Sequence, residues 1–198
     1  MIQSAFAGFA TATALLVVIG PQNAFVLRQG LRHEHVWPVV AVCAASDALL
    51  ISAGIAGLGA AVARQPALLA VTRWGGAAFL LGYAVLALRR ALWPGRLTPS
   101  GGSATTLPAA LLTCLAFTYL NPHVYLDTVL LVGSVAHQQP YPWTFGTGAV
   151  LASAAWFTAL GMGARRLAPL FARPTAWRVL DGLIAAALVV LAGSLILA

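Results

Sequence analysis

A chain of 198 residues that is 61% hydrophobic and only 8% charged lacks the polar surface of a soluble domain, where about 25% of residues are charged. Its mean hydropathy of +0.90 and repeated apolar runs near the ~20 residues a bilayer requires make it an all-α integral membrane protein. The net charge of +7 does not point to nucleic acid, because all eleven basic residues are arginines scattered through short loops rather than gathered in one stripe.

Hydropathy predicts six transmembrane helices, at about 2–27, 37–62, 66–90, 107–136, 143–163 and 176–197. The N-terminal stretch lacks the basic region of a secretion signal and reads as a retained first span. Within it, Gly20, Pro21, Gln22 and Asn23 stand together. Glycine and proline cost a continuous helix about 1 and 3 kcal/mol, so the first helix is expected to break here. The following loop carries His-Glu-His at 33–35, too few ligands on an interfacial loop for a metal site; no metal and no cofactor are expected. Glu34 reads as surface charge.

In the second span Asp47 lies near mid-membrane, beside a row of small residues spaced by four: Ala44, Ala48, Ser52, Ala56 and Ala60. Such rows let helices approach closely, so they are expected to mark a seam. Asp47 is expected to point into that seam or a cavity beside it; the alternative is a structural pair with Arg73, early in the third span. Residues 93–105, WPGRLTPSGGSAT, form a Gly/Pro/Ser-rich linker between a first repeat at 1–92 and a second at 106–198.

The fourth span breaks at Asn121-Pro122 and carries His123 and Asp127, four residues apart and so on one helix face. In the last span Asp181 is expected to pair with Arg178 at i,i+3. Cys43 and Cys114 lie in different spans without a CxxC and read as small hydrophobes rather than a redox pair.

Three spans per half require the second half to enter the membrane inverted. Nine arginines flank loops one, three and five, against Arg64 and Arg73 on the other side. Those loops are therefore expected to be cytoplasmic and both termini periplasmic. The fold predicted is two inverted three-helix repeats with broken first and fourth helices, and interrupted helices at matching positions point to a transporter's binding site. An intramembrane carboxylate costs about 2.5–3.5 kcal/mol, so Asp47 and Asp127 are candidate substrate-binding groups. Gln22, Asn23, Asn121 and His123 are candidates beside them, and Gly20, Pro21 and Pro122 are the break points. This set suits a cation that also bears a carboxylate, the latter drawn to helix N-termini. No nucleophile–base pair or vicinal thiol pair speaks for an enzyme.

The motifs GPQNAFVLRQGLR, CAASDALLI and FTYLNPHVYLDTVLLVGS, in this order, resemble the LysE/ArgO-type basic amino-acid exporter family over essentially the whole chain. Related exporters of neutral amino acids typically begin with Pro-Gly-Pro, whereas this chain has Ile-Gly-Pro-Gln-Asn, which favours the basic branch. The resemblance implies export of L-arginine, L-lysine or both through the bacterial inner membrane, with Gly20-Pro21, Asp47 and Asn121-Pro122 at the family's motif positions.

Expelling a cation against an inside-negative potential costs about 2.3 kcal/mol per charge per 100 mV. Exchange for a proton removes that cost, and Asp47 or Asp127 could hold either ion. The implied partners are thus arginine or lysine, a proton and the lipid bilayer; a homodimer is compatible with these features. Export of a neutral amino acid or of another small cationic solute is the alternative, and a passive channel would show conductance instead.

Overall fold

The computed structural model describes residues 1–17, 20–58, 66–92, 106–121, 124–167 and 174–197. Among them all regular structure is helical: α1 (Ile2–Leu16), α2 (Pro21–Arg32), α3 (Val36–Ile55), α4 (Pro66–Leu92), α5 (Leu107–Tyr119), α6 (a π-helical stretch Tyr125–Leu131 continued by Val132–His137), α7 (Pro142–Leu167) and α8 (Pro174–Leu197). Four of these helices open on a proline, whose missing N–H is no loss in a first turn. Three are long and apolar enough to cross a bilayer alone: α3, α7 over Pro142–Ala164 and α8 over Thr175–Ser194. The pair α1–α2 passes the same test when taken together, as a broken span or a re-entrant loop. The expected third span corresponds to α4, and the expected fourth to α5 with α6. Ala60, Arg64, the linker 93–105, Pro122, His123 and the side chain of Arg73 lie outside the described residues.

The break in the first span follows from its sequence. Helix α1 ends at Leu16, Gly20 is extended (φ −96°, ψ 176°) and Pro21 starts α2, as the steric rule for a residue before proline requires. The turn from α2 to α3 uses two left-handed residues, His33 (φ 57°) and His35 (φ 49°). Glu34 between them is half-buried rather than a solvated loop charge, because Arg32 turns back to pair with it at 3.0 Å.

Helices meet through glycines. A Cβ on Gly8 would strike the Phe145 carbonyl and one on Gly148 the Ala5 carbonyl, so α1 and α7 touch backbone to backbone. Gly54 of α3 and Gly133 of α6 do the same. The seam of α3 differs from the expected one. Its buried face runs Val36, Val40, Cys43, Asp47, Leu50, Gly54, whereas Ser52 and Ala56 are exposed. A step of four residues overshoots one turn by about 40°, so the predicted row of small residues winds off the contact face.

Two apolar clusters result. One packs Phe25, Phe79 and Tyr83 around the fully buried Phe117, with ring centroids 5.8, 5.2 and 4.6 Å away. The other gathers Ala12, Ile51, Ile55, Val132 and Phe145. Cys43 and Cys114, read as separate hydrophobes, touch across α3 and α5 with Sγ atoms 3.2 Å apart.

Asp181 does not pair with Arg178, whose Nε donates to the Ala91 carbonyl at 3.1 Å. Instead Asp181 Oδ1 accepts from Arg28 Nη1 at 2.6 Å and Arg90 Nε at 3.3 Å, joining α8 to α2 and α4. Aromatic faces complete the cluster: Trp177 lies 5.9 Å from the Arg28 guanidinium and Tyr83 5.4 Å from that of Arg90. An arginine shared between a carboxylate and a ring is favoured over one facing lipid.

Candidate functional site

Between the two apolar clusters lies a cavity of about 350 Å³, within the range of small-molecule sites, about 300–1,000 Å³. It sits where both helix breaks meet. Gly20, Pro21, Gln22 and Asn23 line it from the first break and Asn121 from the second; Asp47 reaches it from α3 and Asp127 from α6. The structure thus brings seven of the sequence-predicted positions to one hollow; Pro122 and His123 fall outside the described residues. No basic side chain is found among the described lining residues.

Each break is closed by a side chain from the helix that follows it. Asn23 Nδ2 donates to the Leu16 carbonyl at 2.7 Å, and Tyr125 Oη donates to the Tyr119 carbonyl at 2.8 Å. Carbonyls at a helix C-terminus lack intrahelical partners and, in an apolar setting, must find others. The polar residues after Gly20-Pro21 therefore have a structural task as well as a place at the cavity. Asn23 is held further by Trp156, whose Nε1 donates to its Oδ1 at 3.2 Å. Among the described residues the buried Gln22 Nε2 has no hydrogen-bond partner of good geometry, and the Cys43 thiol is its neighbour.

Asp47 is 6% exposed and Asp127 half-buried. The Asp47 carboxylate accepts a hydrogen bond from Ser153 Oγ of α7 at 2.6 Å. Asp127 sits in the π-helical stretch Tyr125–Leu131, an irregularity found often at functional sites. Ser153, Tyr125 and Trp156 were not singled out by the sequence. Ser153 and Trp156 are isolated polar groups in α7, and nothing local marks which helix they meet.

A helical bundle with candidate membrane spans, whose interrupted helices border a largely apolar cavity that two carboxylates reach, has the construction of a membrane transporter. The sequence profile of the LysE type translocators matches residues 13–198. The chain belongs to that family: it is a multi-pass membrane protein that moves a solute rather than transforming one. It is 51% identical over 176 residues to proteins of Mycobacterium bovis and Mycobacterium tuberculosis named "Putative amino-acid transporter", covering 88% of each chain. It is 45% identical over 182 residues to the arginine exporter protein ArgO of Yersinia enterocolitica, covering 89% of this chain and 88% of that one. No solved structure matches.

Proposed function

We propose that the chain exports basic amino acids, L-arginine, L-lysine or both, from the cytoplasm across the bacterial inner membrane. The observation that carries this reading is the charge of the cavity: Asp47 and Asp127 with no basic side chain among the described lining residues. A basic amino acid brings two cationic groups and one carboxylate. The carboxylates answer the two cations, and the N-terminus of α2, which opens on the cavity through Gly20 and Gln22, answers the carboxylate. A neutral amino acid has a single cationic group to set against the two carboxylates. The relative named as an arginine exporter supports the same substrate.

The mechanism that fits is alternating access between two inverted repeats, 1–92 and 106–198, joined by the linker 93–105. Matching features support this: a stitched break opens each repeat, and glycine crossings recur as Gly54 on Gly133 and Gly30 on Gly161. Nine arginines on the odd loops favour cytoplasmic loops there and periplasmic termini. Exchange for a proton at Asp47 or Asp127 would make export electroneutral.

Counterflow in proteoliposomes tests the substrate. Arginine and lysine should exchange with labelled arginine while threonine, leucine and divalent cations do not; equal competition by a neutral amino acid would overturn the assignment. An imposed pH gradient should accelerate arginine movement, and indifference to it would remove the proton.

A further inference from the structure

Helical serines and threonines in apolar surroundings usually return their hydroxyl to a carbonyl of their own helix. Among the described residues these do so: Thr13 to Phe9, Thr113 to Ala109, Thr118 to Cys114, Ser134 to Leu131, Thr147 to Trp143 and Ser194 to Leu191. Ser153 does not. Its hydroxyl crosses from α7 to α3 and donates to Asp47 Oδ2 at 2.6 Å, with Ser153 1% and Asp47 6% exposed. At this length the bond lies at the short end of the O–H···O range, and it is charge-assisted, about twice as strong as a neutral one, when the carboxylate is ionised. It engages one carboxylate oxygen, and Oδ1 accepts no hydrogen bond among the described residues. Both residues line the cavity.

We propose that Ser153 is a positioning residue for cargo: it fixes the Asp47 carboxylate so that Oδ1 meets the cationic group of the transported amino acid. The inference rests on the reading of Asp47 as a cation-binding group. Without the hydroxyl, the Asp47 side chain regains rotamer freedom within the cavity, and part of the binding energy goes to ordering it again. The loss falls on cation recognition, so it raises KM more than it lowers the maximal rate.

The test is the kinetics of arginine and lysine transport by purified Ser153→Ala and Ser153→Thr in proteoliposomes, with thermal unfolding of each variant in detergent alongside. Ser153→Ala should raise KM about tenfold, the scale of one lost hydrogen bond to a charged group, with the maximal rate within twofold of wild type. Ser153→Thr keeps the donor and should restore KM. An unchanged KM in Ser153→Ala, or a fall in rate that tracks a fall in unfolding temperature, overturns the positioning role while arginine transport by the wild type stands. If the wild type transports neutral amino acids and neither arginine nor lysine, the assignment of Asp47 falls, and this inference with it.

Discussion

Asp47 and Asp181 are both buried carboxylates on long apolar helices, and their surroundings are opposite. Asp181 is gripped by Arg28 and Arg90, and the three lie where α2, α4 and α8 converge. Asp47 has no cation near it in the described structure; it has one hydroxyl, from Ser153, and a cavity. A buried charge must be neutralised by something. For Asp181 the protein supplies that partner, so the group fastens helices. For Asp47 the described residues supply a hydroxyl and a hollow, and on the proposed reading the counter-ion arrives from outside as a cation or a proton. That contrast is what the proposed transport role of Asp47 predicts, and the variants below test it.

The comparison breaks most visibly at Asp181. Replacing it with alanine leaves two half-buried guanidinium groups without their shared carboxylate; breaking a fully buried pair typically costs about 3–5 kcal/mol, and this one should cost somewhat less. Asp181→Ala should therefore unfold at markedly lower temperature or denaturant and accumulate poorly in the membrane. A variant with wild-type stability would mean that the triad fastens nothing. Asp47→Asn should show the reverse pattern. The carboxamide keeps the shape and an acceptor for Ser153, so the unfolding temperature should stay near that of wild type, while arginine export falls to the level of empty vesicles. Residual wild-type export would return Asp47 to the scaffold.

How far the sequence revealed this depends on the range of each signal. Gly20-Pro21 and Asn121-Pro122 act locally, so the breaks were legible, and polar neighbours of a break reach the same hollow because they can go nowhere else in lipid. The π-helical winding around Asp127 was not legible, because nothing in YLDTVLL marks a change in residue count per turn. Asp181 was misread because its partners lie 153 and 91 residues away, while Arg178, three residues off, was the pair that proximity favoured. Cys43 and Cys114, 71 residues apart, illustrate the same distance. A charge in a membrane helix announces that it needs a partner; the chain alone does not say which one.

A smaller effect is expected at Asp127. It is half-buried, so loss of its charge should be less complete than at Asp47: Asp127→Asn is expected to slow arginine export by about tenfold, the scale of one lost charged hydrogen bond, with stability unchanged. Identical kinetics to wild type would leave Asp47 as the sole cation-binding carboxylate of the pair.

The smallest effect sharpens the line between scaffold and site. Asn23 lines the cavity, yet its amide is occupied on both ends, by the Leu16 carbonyl and by Trp156. On its other side an apolar cleft of about 290 Å³ opens between α2, α7 and α8, lined by both Asn23 and Trp156. Trp156→Phe deletes the 3.2 Å bond and keeps most of the ring. A typical neutral hydrogen bond contributes about 0.5–1.5 kcal/mol, and the bond to Leu16 survives, so the variant should melt slightly earlier and export arginine within about twofold of wild type. Loss of export in a stably folded Trp156→Phe would mean that the wall itself moves during transport, and Asn23 would then belong with Asp47 rather than with the stitching that holds the break.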